Sequence, residues 1–114
     1  MKVAAIGFND YNEFDKVMQE FIAENDCLIF SIVCGGLDIG NPTNSIPRQW
    51  AINNGAPVCL IYDKNINKLM DKIEKEADYL TIRITKDTPQ VCKNLIMKMK
   101  NQGKHGKVIK GGGE

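Results

Sequence analysis

This chain of 114 residues is poor in histidine and in the spaced motifs on which catalysis usually rests. It shows no serine–histidine–carboxylate set, and its one histidine, His105, close to the C-terminus, weakens the case for general acid–base chemistry further. The four cysteines, Cys27, Cys34, Cys59 and Cys92, form no CxxC pair and none accompanies His105, so no metal site is expected. No lysine follows its glycines at Walker spacing, and no paired carboxylates stand at metal-binding spacing. Charge of one sign is missing too. Fifteen Lys and Arg against 14 Asp and Glu leave +1, which gives no chain-wide footprint for nucleic acid. Lysines do gather late, at 93, 98, 100, 104, 107 and 110, but they are spaced like a solvated face and have no aromatic neighbour to stack on a base. No apolar run approaches the roughly 20 residues that span a bilayer. Met1-Lys2 leads into an apolar stretch, Val3–Ile6, too short for a signal-peptide core. The expectation is a cytoplasmic protein with neither membrane nor nucleic acid as partner.

What is present alternates. Lys2–Ile6 reads as a central strand ending at Gly7. Asp10 or Asn12 can cap a helix to about Glu24, with Phe14, Val17, Met18, Phe21 and Ile22 at helical spacing. Cys27–Val33 is apolar apart from Ser31, as in a strand covered on both faces. A helix over Asn44 to Asn54 stops at Gly55, and Pro57–Tyr62 follows as a third strand. Asn65 or Asn67 caps a helix to about Ala77, and Tyr79–Ile84 is a fourth strand that alternates apolar and polar residues. Thr88 as cap and Pro89 at the first helical position start a helix that Gly103 stops, before a short fifth strand, Lys107–Lys110. The pattern predicts one α/β domain over residues 1–110, three-layered and Rossmann-like, with a mostly parallel five-stranded sheet and helices on both faces; residues 111–114 form a flexible Gly-rich tail.

In such sheets ligands bind beyond the carboxyl ends of the strands. The stretch IFSIVCGGLDIGNP, residues 29–42, draws attention there, because an apolar run gives way to Gly35-Gly36 and a further glycine before a helix. Glycines let a backbone approach an anion, and a helix N-terminus offers free N–H groups. The expected ligand-binding residues are Gly7, Phe8, Asn9, Gly35, Gly36, Asp38, Thr85 and Thr88. Phe8 could stack on a base, although covering the core is the favoured role, and Asp38 could accept a ribose hydroxyl or simply be solvated. Cys34, at the mouth of the glycine stretch, is expected to be buried and structural rather than reactive. Arg48 is expected to be solvated.

The stretches KVAAIGFND, IVCGG, NNGAPV and EADYLTIRI, then a Thr-initiated helix and a final KVI, resemble the SLOG superfamily, in particular its small stand-alone YspA-related type. The resemblance implies a strand order of 3-2-1-4-5 and a bound nucleotide or nucleotide derivative, with no cofactor required. It places the family's strand-one glycine at Gly7, its paired glycines at Gly35 and Gly36, and its threonine-bearing phosphate loop at the region ending in Thr88. The chain departs from the family at Leu37–Pro42 and at Leu69-Met70, where an Arg-Asn pair is usual. It lacks the Pro-Gly-Gly…Glu motif of the phosphoribohydrolase branch, so the implied role is binding rather than catalysis. Two alternatives stand beside this one. One is a protein-interaction module, a homodimer anchored by an exposed Trp50. The other is a degenerate receiver using Asp10, Asp63, Thr85 and Lys110, which would need the strand order 2-1-3-4-5.

Overall fold

The computed structural model describes residues 1–26, 30–36 and 45–111. Expectations about residues 27–29, about Asp38 with Gly40 and Pro42, and about the 112–114 tail lie outside the described residues. The described chain runs β1 (Lys2–Ile6), α1 (Tyr11–Asn25), β2 (Ser31–Gly36), α2 (Ser45–Asn54), β3 (Val58–Tyr62), α3 (Ile66–Glu76), β4 (Tyr79–Ile84), α4 (Gln90–Asn101) and β5 (His105–Lys110). The strands form one sheet in the order β3-β2-β1-β4-β5, and every neighbouring pair is parallel. This is the Rossmann-like α/β architecture expected, and it is not the order a receiver requires. Asp10 follows β1 and Asp63 follows β3, and β2 lies between those strands, so the two carboxylates do not share one strand-end junction.

The helices form where the local chemistry directs. Asp10 accepts the Glu13 N–H at 3.1 Å and caps α1, whose buried stripe is Phe14, Val17, Met18 and Phe21. Asn65 caps α3 by accepting from the N–H groups of Asn67 and Lys68. α1 and α2 cover one face of the sheet with an aromatic core that gathers Phe8, Phe14, Phe21, Phe30, Trp50 and Tyr79. α3 and α4 cover the other with an aliphatic core built on Val33, Leu69, Ile73, Leu80, Ile82 and Leu95. Among the described residues no helix is long and apolar enough to cross a membrane.

Several expectations are corrected. β2 continues to Gly36 instead of ending at Val33, because its ladder with β3 runs on through Gly35↔Ile61 and Gly36↔Tyr62. The paired glycines are thus strand residues. Thr81, a polar position in the alternating reading of β4, is wholly buried; its hydroxyl donates to the Ala4 carbonyl at 2.8 Å, which satisfies it in the core. Thr88 does not cap α4: Pro89 occupies the cap position and no side chain bonds there. β5 begins at His105, since pairing with β4 extends from Tyr79↔His105. Trp50 is 1% exposed, and its indole N–H donates to Asp15 Oδ1 at 2.8 Å, so it is no surface anchor for a dimer.

Candidate functional site at the β1–β4 switch point

The chain passes from β1 outward through β2 to β3, then returns to the other side of β1 for β4 and β5. The strand order therefore reverses between β1 and β4, where a parallel sheet opens a crevice at its carboxyl edge. A hollow of about 260 Å³ lies there, lined by Gly7, Asn9, Arg83, Thr85, Thr88 and Cys92 among others. Four of the residues expected from sequence, Gly7, Asn9, Thr85 and Thr88, are thereby brought together. Phe8 does not reach it. The ring is 6% exposed and packs on Phe14 with centroids 4.8 Å apart, so it belongs to the aromatic core.

Gly7 has two separate reasons to be glycine. Its φ is +84°, a region L side chains rarely adopt, and a Cβ built on it would stand 2.4 Å from the Arg83 carbonyl oxygen. The chain can leave β1 this close to β4 only without a side chain. Across the crevice, the loop after β4 closes on itself: the Thr85 N–H donates to Thr88 Oγ1 at 2.8 Å, and the Asp87 N–H donates to Thr85 Oγ1 at 3.2 Å. The two threonine hydroxyls thus shape the entry to α4, which begins with no side-chain cap.

The sequence reading passed over Arg83. Its side chain is only 12% exposed, and Nε lies 2.8 Å from Glu13 Oε1 on the first turn of α1. The approach is off the N–H direction, so the contact is an ion pair without a hydrogen bond, and both atoms are buried without a hydrogen-bonding partner. Gly111 makes room for the guanidinium, since a Cβ there would stand 2.6 Å from Arg83 Cζ and 2.8 Å from Nη1. The signal available in sequence was a lone arginine near the end of the otherwise uncharged strand YLTIRI. Arg83 and Glu13 cancel, and Asp87 also lines the hollow, so its side chains create no excess of positive charge.

The other glycines of interest do different work. A Cβ on Gly35 would meet Ile73 Cδ1 at 2.6 Å and Leu69 Cδ1 at 3.2 Å, so the glycine lets α3 sit close on β2. Gly36 ends the ladder opposite Tyr62, and Gly35 does not line the switch-point hollow. Cys34 is fully buried, and burial pushes its thiol up to about 12, which suits a structural cysteine rather than a reactive one. Asp63 is held below its ordinary value by the Asn65 N–H, with Lys72 adding to the effect, and behaves as a local turn and ion-pair residue. Among the described residues no cluster of three His, Cys, Asp or Glu side chains could hold a metal. A larger hollow, about 610 Å³, lies at the opposite, amino edge of the sheet beside Met1, Ser31 and Pro57. It sits at the edge where parallel sheets do not gather ligands, so the smaller hollow is the candidate site. Comparison with protein-family models and with curated proteins finds no match to this chain.

Proposed function

We propose that this domain binds a nucleotide or nucleotide-derived phosphorylated small molecule at the β1–β4 switch point, and senses or sequesters it without turning it over. What carries the reading is the convergence of Gly7, Asn9, Thr85 and Thr88 with Arg83 on one hollow at the edge where parallel sheets take ligands. At about 260 Å³ the hollow is just under the roughly 300 Å³ at which drug-sized sites begin, a fit for a phosphoryl group with part of its sugar rather than for a whole nucleotide. Main-chain N–H groups at the start of α4 would face the phosphate, with Asn9 toward the sugar or base. Membership of the SLOG superfamily and a cytoplasmic setting are parts of the same proposal, and rest on the sequence stretches quoted above.

The test is a thermal-shift screen of the purified protein against nucleotides and sugar phosphates, followed by amide chemical-shift mapping of any hit. A ligand present at 100 times its Kd should stabilise the fold by about 2.7 kcal/mol. Shifts centred on Gly7, Asn9, Thr85 and Thr88 are expected. A hit whose shifts fall elsewhere would move the site, and no stabilisation by any compound would remove the reading.

A second reading, a homodimer, keeps one observation in its favour. The edge strand β3, VCLIY, carries no charge or proline, and its Leu60 is 42% exposed. Light scattering of the wild type and of Leu60→Lys decides it: a dimer that the substitution dissociates supports this interface, and a wild-type monomer excludes it.

A further inference from the structure

Arg83 is difficult to account for as a purely structural residue. Its guanidinium offers five N–H donors, yet it is nearly nine-tenths buried and makes no hydrogen bond to any described residue. Among the described residues, the one charge paired with it is Glu13 Oε1, at 2.8 Å and poorly aligned. A buried donor without an acceptor costs stability, so proteins keep such groups only where something compensates. Two glycines hold this one in place, Gly7 against its main-chain carbonyl and Gly111 against its side chain. The arginine also lines the hollow itself, beside Thr85 and Thr88.

Glu13 is suited to give way. Its side chain is 32% exposed, so a rotation about its own torsions can carry the carboxylate into water. Its backbone stays fixed meanwhile, because its N–H is held by the Asp10 cap. On the first turn of α1 its negative charge remains favourable without Arg83, through the positive end of the helix dipole. A phosphoryl group has the acceptors the guanidinium lacks, and can take two parallel N–H bonds where the carboxylate takes none.

We infer that Arg83 is the anion-recognising residue of the switch-point hollow, and that Glu13 is its exchangeable counter-ion, displaced when a phosphoryl group binds. This inference rests on the proposed binding reading and deepens it. Glu13 then acts as a built-in competitor: a dianionic phosphoryl group displaces it, and a ligand without one does not. Asp87, on the rim, adds a further repulsion that the bound group must overcome.

The experiment is titration calorimetry with ADP, pyrophosphate and adenosine on the wild type, Glu13→Gln, Arg83→Lys and Arg83→Gln, each checked for folding by circular dichroism. Glu13→Gln should bind pyrophosphate about threefold more tightly, since the competing ion pair is gone. Arg83→Gln should lose at least about tenfold for ADP and pyrophosphate, with Arg83→Lys intermediate and adenosine unchanged. Should Arg83→Gln unfold, Glu13→Gln and Arg83→Lys decide the matter alone. Wild-type binding of ADP that Arg83→Lys leaves unchanged, or weaker pyrophosphate binding by Glu13→Gln, would overturn the inference and leave the binding reading standing. Absence of binding by both the wild type and Glu13→Gln would remove both together.

Discussion

Two junctions at the carboxyl edge of the sheet are made from similar parts and do different things. Between β2 and β3 stand Gly35 and the pair Lys72–Asp63; between β1 and β4 stand Gly7 and the pair Arg83–Glu13. At the first, the glycine lies beneath Ile73 and Leu69, and the ion pair is on the surface with Lys72 half exposed. At the second, the glycine faces a backbone carbonyl and the ion pair is enclosed and unaligned. A helix fills the first junction, whereas the second borders a hollow. The difference teaches that a strand-end glycine in a parallel sheet marks a close approach without saying what approaches.

That contrast can be broken at its strongest point. Gly7→Ala must resolve a 2.4 Å contact with main chain that cannot rotate away, in a left-handed conformation costing about 1–2 kcal/mol by itself. A loss of about 3 kcal/mol or more in urea unfolding is expected, and a loss under about 1 kcal/mol would mean that the β1–β4 crossing is adaptable. Gly35→Ala meets only the methyl ends of Ile73 and Leu69, so it should cost about 1–3 kcal/mol. Ile73→Val alone should cost about 0.5–1.5 kcal/mol, and in the Gly35→Ala background less than that, since it removes the clashing methyl. Strict additivity would show that α3 does not rest on this glycine.

Smaller changes sharpen the same contrast. Thr88→Ala removes the acceptor for the Thr85 N–H and should cost about 1 kcal/mol while raising hydrogen exchange at Thr85. Unchanged exchange at that amide would show that the loop is held by other contacts. The smallest effect belongs to the exposed pair. The Asp63 carboxyl is depressed below its ordinary 3.8, so its contribution is complete above that value and fades as pH falls through the lowered one. Asp63→Asn should therefore leave the unfolding midpoint at pH 7 nearly unchanged and slightly flatten the loss of stability below about pH 4. An equally steep acid limb in the variant would show that Lys72 and Asn65 do not favour the charged form.

Much of this architecture was legible because it is written in local signals. The Asp10 and Asn65 caps, the Phe14–Phe21 stripe and the apolar stretch of β3 each depend on neighbours a few residues away. Thr88 was misread because the same hydroxyl can cap a helix or close a loop, and the choice between them depends on where the Thr85 amide sits. Gly35 and Gly36 were read as a loop because a glycine pair breaks most strands. Here the ladder with β3 supplies the pairing that carries the strand through them. Of the candidate site, Gly7, Asn9, Thr85 and Thr88 were legible from the rule that places sites at strand ends, and Arg83 was not.

The chain's own pattern of turns, caps and apolar runs marked out the alternation of helices and strands seen among the described residues, since those signals are local in sequence. Which strand lies beside which was decided only when the helices packed on the two faces of the sheet. That arrangement brought Gly7 and Gly111 each against Arg83. Burial and close approach are properties of such long-range neighbours, so the enclosed Arg83 and its unaligned partner Glu13 exist only in the folded chain.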